Sequence, residues 1–151
     1  DLTGKNFLDL FSGTGQIGLE ALSRGAQLVI FNDADRKRYQ FVKDIVVQWQ
    51  LQQRARNYNF DAFRYLKLCS EEAIVFDIIF CDPPFEKIAE LPRIYYLLLE
   101  ELSNSSCVAV HSYIFLQHYH ANVMPDSIGR LYKKDTRKYG TNALSIYRVI
   151  E

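Results

Sequence analysis

Short apolar runs alternate with amphipathic runs along the whole chain. The apolar runs predict strands over residues 6–11, 27–32, 75–81 and 106–113, and a weaker signal predicts a further strand over residues 54–59. Apolar residues at helical spacing predict four helices, over residues 16–24, 35–52, 62–68 and 86–102. In the second of these helices we expect the following residues to face the core: Tyr39, Val42, Ile45, Val46 and Trp49. Two final runs, 129–139 and 142–150, predict an antiparallel hairpin joined at Gly140.

This alternation of strands and helices is typical of an α/β fold with one doubly wound, Rossmann-like sheet. The sheet is predicted to be mostly parallel, with the C-terminal hairpin adding antiparallel strands. Ligands of such sheets bind beyond the carboxyl ends of the strands. Because 151 residues is the size of one domain, we expect residues 1–151 to form one domain whose functional residues lie where the strands end.

Composition and charge exclude several classes of protein. The chain is 48% apolar and 24% charged, which excludes a disordered or fibrous protein. Lys and Arg total 18, and Asp and Glu also total 18, so a strongly basic nucleic-acid binder is excluded but a local basic face is not. No apolar run approaches the roughly 18 residues of a membrane helix. The three cysteines indicate free thiols in a reducing cytoplasm.

A glycine-rich turn separates the first predicted strand from the first helix. Gly13, Gly15 and Gly18 match the spacing G-x-G-x-x-G. This spacing lets the backbone approach a ligand closely and lets the helix pack close to the sheet. The alternative is a tight turn that needs glycine for its dihedral angles alone. The pattern predicts a cofactor with an adenosine group, and it fits NAD(P) and S-adenosylmethionine equally.

Two acidic residues follow the next two strands. Asp33 could accept two hydrogen bonds from a ribose diol. The alternative is that it caps the following helix, a role that Asp35 can also fill. Asp61 could face an adenine amine or cap the next helix, and both roles can hold together.

The turn Asp82-Pro83-Pro84-Phe85 follows the central predicted strand. Two consecutive prolines remove two backbone donors and stiffen the turn, which leaves acceptors and an aromatic ring. A planar base with an exocyclic amine suits this set, because Asp82 and the Pro83 carbonyl can accept from the amine and Phe85 can stack on the base for about 1–3 kcal/mol. The amine nitrogen would then be held in line with a methyl donor. The alternative is a plain turn between a strand and a helix.

The C-terminal region carries five basic residues within nine positions: Arg130, Lys133, Lys134, Arg137 and Lys138. This cluster could contact RNA phosphates. The alternative is a solvated edge strand that its lysines protect from aggregation. The three histidines have no partners at the spacing of a metal site, so we expect no metal.

Four segments resemble the bacterial 16S rRNA (guanine(966)-N2)-methyltransferase family. They are 8–15 (LDLFSGTG), 18–25 (GLEALSRG), 82–85 (DPPF) and 138–140 (KYG). The resemblance covers nearly the whole chain, and segment 18–25 is its most specific part. It implies a class I S-adenosylmethionine-dependent methyltransferase that modifies the exocyclic N2 of a guanine in small-subunit ribosomal RNA.

The resemblance also implies residue roles. Asp33 would contact the cofactor ribose, Asp61 would lie by the adenine, and Ala62 would also belong to the cofactor site. Asp9 and the glycine turn would hold the methionine end, the turn comprising Phe11, Gly13, Thr14 and Gly15. Asp82, Pro83, Pro84 and Phe85 would surround the target guanine.

Family members usually carry an N-terminal basic segment that helps to hold RNA, and this chain starts after it. We expect a cytoplasmic monomer that acts on ribosomal RNA or a small-subunit assembly intermediate, without a membrane or a metal.

Two other classes of function remain open. The first is an amino-methyltransferase that uses the same turn on adenine N6 of DNA or on a protein glutamine; a DNA enzyme usually adds a recognition domain. The second is an NAD-dependent oxidoreductase or an inactive cofactor-binding module. A dehydrogenase should carry a catalytic His, Tyr-Lys pair or Cys near the nicotinamide, and none is evident in the sequence.

Overall fold

The computed structural model describes residues 1–84 and 92–151, with the side chain of Pro92 left aside. The strands are β1 (Asn6–Asp9), β2 (Leu28–Asn32), β3 (Ala55–Tyr58), β4 (Phe76–Cys81), β5 (Val108–Tyr119), β6 (Ser127–Ile128), β7 (Leu131–Tyr139) and β8 (Asn142–Val149). The helices are α1 (Gln16–Ser23), α2 (Arg36–Gln48), α3 (Ala62–Cys69) and α4 (Pro92–Asn104), and a short 3-10 turn follows α3 at Ser70–Glu72.

All eight strands form one sheet in the order β3-β2-β1-β4-β5-β8-β7-β6. Strands β1 to β5 are parallel to one another, whereas β6, β7 and β8 pair antiparallel. The chain reverses its direction of travel across the sheet between β1 and β4, which makes their carboxyl ends the topological switch point. Asp9 at the end of β1 pairs with Phe80 of β4, so the residues after both strands meet at this point.

Helices cover both faces of the parallel part of the sheet. On one face α1 and α2 pack through Ala21, Leu22, Val42 and Val46. On the other face α3 and α4 pack through Tyr65, Leu66, Leu98 and Leu99. The central strands β1, β2 and β4 contribute apolar residues to both of these clusters because both of their sides are covered. The three cysteines are free and buried, as expected from the sequence.

Several predicted boundaries differ from the structure. Helix α2 ends at Gln48 rather than at residue 52, because Gln50 has a φ of 56° and the chain turns away. Trp49 therefore lies beyond the helix with 57% of its surface exposed, and only Val42 and Val46 of the predicted core face are buried. Strand β5 runs six residues further than predicted, because β8 continues to pair with it to Tyr119.

The first part of the predicted helix 86–102 lies outside the described residues. In the part of the chain that the structure describes, no helix is long and apolar enough to cross a membrane.

Candidate cofactor and acceptor site

A cleft of about 490 Å³ opens at the carboxyl ends of β1, β2 and β4. This volume is in the usual range for a small-molecule site. The structure brings nine of the sequence-predicted site residues to its walls: Asp9, Phe11, Gly13, Thr14, Asp33, Asp61, Ala62, Asp82 and Pro84. Of the remaining three, Gly15 caps α1 and Pro83 is buried behind the wall, while Phe85 lies outside the described residues.

The glycine turn combines unusual backbone angles with close packing. Gly13 and Gly15 have φ values of 55° and 82°, which side chains strongly disfavour. A Cβ atom at Gly18 would overlap the ring of Phe31 in β2. The third glycine of the motif therefore lets α1 lie close to the sheet, as the spacing predicts.

Asp33 ties the end of β2 to the glycine turn. Its Oδ2 accepts from the backbone N–H of Gly13 at 2.8 Å, and its Oδ1 accepts from the N–H of Asp35 at 2.8 Å. Asp35 itself caps α2 by accepting from the N–H groups of Lys37 and Arg38. Asp35, and not Asp33, is therefore the residue that caps α2, and Asp33 lines the cleft.

Arg38 is a site residue that the sequence did not indicate. Its Nε donates to Oδ2 of Asp33 at 3.3 Å, and its side chain also lines the cleft. A carboxylate has about four acceptor positions, and Gly13, Asp35 and Arg38 together use three of those on Asp33. A ligand hydroxyl at Asp33 must therefore take the fourth position or displace Arg38.

Asn32 is a buried polar residue at the end of β2, and its hydrogen bonds explain its presence there. Its Nδ2 donates to the carbonyls of Leu10 at 3.2 Å and Phe60 at 2.9 Å, and its Oδ1 accepts from the N–H of Phe60. One buried amide thus fixes the ends of β1, β2 and the segment after β3 relative to one another.

Asp9 is a buried carboxyl at the floor of the cleft. Its Oδ2 accepts from the N–H of Gly18 at 3.1 Å. The pKa of Asp9 is raised to about 7, chiefly by burial; the Gly18 hydrogen bond lowers it, and the nearby charges of Asp33 and Asp82 add to the rise. Three carboxyl groups so close together favour a positively charged ligand.

Asp61 caps α3 by accepting from the N–H groups of Phe63 at 3.0 Å and Arg64 at 3.3 Å. The same residue and Ala62 line the cleft. The capping interpretation of Asp61 is therefore confirmed, and its position leaves the ligand role open beside it.

Asp82 and the two prolines follow β4 directly. Asp82 is half-buried on the cleft wall, Pro83 is buried and Pro84 is exposed. The preceding Cys81 is fully buried, and burial raises the pKa of its thiol, with Asp9 and Asp82 adding to the effect. Cys81 is consequently a core residue and an unsuitable nucleophile.

The basic cluster of the C-terminal region is divided by the fold. Arg130 donates from Nε to the carbonyl of Ser103 at 2.6 Å, and from its Nη2 to Ser105 and Val108, so it holds the end of α4. Lys133 donates to the carbonyl of Met124 at 3.2 Å. Both residues are therefore engaged within the protein, and phosphate contact by this cluster stays a prediction. Lys134, Arg137 and Lys138 are exposed.

Solved structures share this fold over nearly the whole chain. One is described as "Putative methyltransferase yhhF from Escherichia coli"; it is 23% identical, with a TM-score of 0.83 over 99% of this chain and 78% of that one. Another is described as "SMU.776, a putative methyltransferase complexed with SAH" (S-adenosylhomocysteine); it is 16% identical, with a TM-score of 0.78 over 99% of this chain and 46% of that one. The fold is therefore that of the Rossmann-like S-adenosylmethionine-dependent methyltransferases, as predicted.

The chain belongs to the protein family described as "Conserved hypothetical protein 95", whose model matches residues 1–148. A relative from Bacillus subtilis, named "Putative rRNA methyltransferase YlbH", is 34% identical over 149 residues, which are 96% of this chain and 76% of that protein. These findings confirm the family resemblance and the prediction of S-adenosylmethionine as the cofactor. Within residues 1–84 and 92–151, no group of three or more His, Cys, Asp and Glu side chains could hold a metal ion.

Proposed function

We propose that the protein transfers a methyl group from S-adenosylmethionine to the exocyclic N2 of a guanine in small-subunit ribosomal RNA. The observation that carries the proposal is the position of Asp82, which lines the same cleft as the glycine turn at the switch point of the sheet. The name of the Bacillus subtilis relative supports ribosomal RNA as the substrate. We assign this activity to residues 1–151 as one domain.

The cleft fits the cofactor in shape and in charge. Asp33 would accept from the ribose hydroxyls, beside or in place of Arg38. Asp61 and Ala62 would face the adenine. Asp9 and the turn formed by Phe11, Gly13, Thr14 and Gly15 would surround the methionine end. Because the cofactor carries positive charge on its sulfonium and amino groups, the three carboxyl groups favour its binding.

Asp82 and Pro83 would hold the accepting amine. The bound cofactor supplies an electrophilic methyl group. The carboxylate of Asp82 and the carbonyl of Pro83 accept from the two N–H groups of the amine, which aims the nitrogen lone pair at the cleft. The two prolines contribute no N–H that could compete. We also assign Pro84 and Phe85 to this pocket, Phe85 as the stacking surface expected from the sequence.

The role of Asp82 is electrostatic. As the nitrogen forms its bond to the methyl carbon it gains positive charge, and its hydrogen bond to the carboxylate strengthens. The methylated amine then becomes acidic and loses one proton, for which Asp82 is the adjacent acceptor. No stronger base is needed.

The test is transfer of labelled methyl groups by the full-length natural protein to small-subunit RNA and to small-subunit assembly intermediates, followed by nucleoside analysis. We expect the label on N2-methylguanosine. Label on N6-methyladenosine, or on protein, would contradict the proposal and favour the other amino-methyltransferases. Calorimetric titration with S-adenosylhomocysteine and with NAD serves as the control for the cofactor, and we expect heat of binding with the first compound alone.

A further inference from the structure

The tip of the C-terminal hairpin lies beside the proposed acceptor pocket. Cys81, the last residue of β4, pairs with Leu116 of β5. Strand β5 then continues to Tyr119, past the end of β4, and β8 and β7 accompany it to their connecting turn. The pairing partners Asn142 and Tyr139 flank that turn. The sheet therefore extends beyond Asp82 on one side of the cleft.

Two residues of this extension share the face of the sheet on which Asp82 follows β4. Gln117 follows Leu116 directly, so its side chain lies on the face opposite to the buried Leu116. Asn142 of β8 pairs with Tyr139 of β7 on one side and with Tyr119 of β5 on the other. Tyr119 lies two residues beyond Gln117, so Tyr139 and Gln117 lie on the same face of the sheet. The Tyr139 hydroxyl donates to Oε1 of Gln117 at 3.0 Å.

The electrostatic surroundings of Tyr139 agree with this placement. Burial raises the pKa of the Tyr139 hydroxyl, and the Asp82 charge raises it further. Tyr139 as a whole residue nevertheless remains 51% exposed. Tyr139 is thus close enough to Asp82 to sense its charge while presenting an aromatic surface to solvent.

The hydrogen bond between the two side chains also orients Gln117. Because Oε1 accepts from Tyr139, the amide nitrogen of Gln117 faces the other way with its two N–H donors. Asp82 and Gln117 directly follow the paired residues Cys81 and Leu116, so an acceptor and a donor follow neighbouring strands at the same level of the sheet. A nucleobase edge matches this pair where an exocyclic amine adjoins an unprotonated ring nitrogen, such as N2 and N3 of guanine. A protein amide carries an amine but no unprotonated ring nitrogen next to it, so it matches only half of this pair.

We propose that Tyr139 and Gln117 form a wall of the acceptor pocket, in which the ring of Tyr139 contacts the methyl-accepting base and Gln117 donates to a ring nitrogen beside the amine. This inference rests on the proposed function, since it places a nucleobase at Asp82. Tyr139 contacts the base and also positions Gln117, so its ring and its hydroxyl have separable effects.

Steady-state methylation of small-subunit RNA by the full-length protein separates the two effects. Tyr139→Ala should raise KM for RNA about tenfold, because contact with an aromatic ring stabilises a bound base. Tyr139→Phe should keep KM near that of the parent and lower kcat, because it releases Gln117 from its orientation. Gln117→Met should lower kcat similarly.

Tyr132→Ala is the matched control. Tyr132 lies on the same strand and face, is 38% exposed, and pairs with Arg148 at the opposite end of β7. We expect its KM and kcat to equal those of the parent, and the affinity of all four variants for S-adenosylhomocysteine to be unchanged. Equal effects of Tyr139→Ala and Tyr132→Ala would overturn the proposal, as would an unchanged kcat in both Tyr139→Phe and Gln117→Met.

A second measurement keeps the inference separate from the proposed reaction. Single-stranded RNA containing 2-aminopurine carries an amine next to ring nitrogens and reports stacking by loss of fluorescence. With S-adenosylhomocysteine present, we expect the parent protein and Tyr132→Ala to quench this probe and Tyr139→Ala not to do so. If the parent protein quenches the probe but does not methylate ribosomal RNA, the proposed function is rejected, whereas the role of Tyr139 as a wall of the base pocket is supported. Equal quenching by the parent and Tyr139→Ala would reject the wall.

Discussion

The cofactor end and the acceptor end of the cleft are built in different ways. At the cofactor end, each polar group follows a parallel strand and is held by nearby backbone: Asp33 by the N–H of Asp35, and Asp61 by the N–H groups of the helix that it caps. At the acceptor end, Asp82, Gln117 and Tyr139 come from parts of the chain far apart in sequence, and the register of an antiparallel extension joins them. Local motifs thus define the first region, and long-range strand pairing defines the second.

The largest effect that tests this comparison is expected from Asp82→Ala in the full-length protein. Loss of the carboxylate removes a hydrogen bond that is strongest in the transition state, so the rate of methyl transfer should fall by about 10²–10³. Affinity for S-adenosylhomocysteine should change little, because the change is at the acceptor end. Single-turnover transfer and calorimetry measure the two quantities.

Asp126→Ala is a suitable control for that variant, because the Asp126 side chain is almost fully exposed and pairs only with Lys133 at 3.5 Å among the ion pairs of the described residues. It should leave the rate unchanged. Full activity of Asp82→Ala would contradict the proposed mechanism, whereas an equal loss of cofactor affinity would mean that the two ends are not separable.

Sequence reasoning succeeded where the chemistry is local. The glycine spacing predicted the close packing at Gly18, and the acidic residues after β2 and β3 were expected at the cleft where the structure has them. The rule that parallel strand ends converge was enough to bring Asp9, Asp33 and Asp82 together. None of these predictions needed the partner of a side chain to be known.

The sequence does not reveal side-chain contacts that depend on a distant partner. Asn32 bonds to the carbonyls of Leu10 and Phe60, which no spacing in the sequence relates to it. In the sequence, Arg130 is one of five clustered basic residues, but in the structure its guanidinium donates hydrogen bonds to carbonyls at the end of α4. The pairing of Tyr139 with Gln117 likewise requires the register of β5, β8 and β7.

A smaller effect is expected from Asp33→Ala at the cofactor end. The variant leaves the N–H of Gly13 and the ribose hydroxyls of the ligand without their acceptor, so S-adenosylhomocysteine should bind about 1–3 kcal/mol more weakly. Asp35→Ala is the matched variant, because it removes the cap of α2 and should lower the free energy of unfolding by about 1 kcal/mol with little change in ligand affinity. Calorimetry and chemical denaturation give the two results. Unchanged affinity in Asp33→Ala would remove this residue from the proposed site.

The pH dependence of the cofactor-free protein tests Asp9. The folded protein retains the Asp9 proton up to about pH 7, whereas the usual pKa of an aspartate is 3.8. Because the folded-state pKa is raised, the stability from this group is complete below about pH 4 and declines as the pH rises through about 7. A positively charged cofactor should favour the deprotonated form of Asp9 and so lower this pKa. Below about pH 7, the affinity for the cofactor should therefore rise with pH, by up to about tenfold per pH unit.

Asp9→Asn provides the comparison for this pH effect, since its amide oxygen can still accept from Gly18 but the side chain does not titrate. Denaturation and binding of S-adenosylmethionine should both lose the corresponding pH dependence between about pH 4 and pH 7. The same pH profile in Asp9→Asn as in the parent would assign the titration to another group.

The smallest effect concerns the basic residues of β7, which lie next to the acceptor end. Lys134 and Lys138 are exposed, whereas Arg130 is occupied by backbone carbonyls. If the exposed pair binds phosphates, Lys134→Ala with Lys138→Ala should reduce the slope of log RNA affinity against log salt by about 0.7–0.9 for each phosphate that is no longer neutralised. Arg130→Ala should leave the slope unchanged and lower the melting temperature, because it leaves the carbonyls at the end of α4 without their donor.

RNA binding measured over a series of salt concentrations distinguishes the two variants. An unchanged slope in the double lysine variant would mean that these lysines protect an edge strand and do not bind RNA.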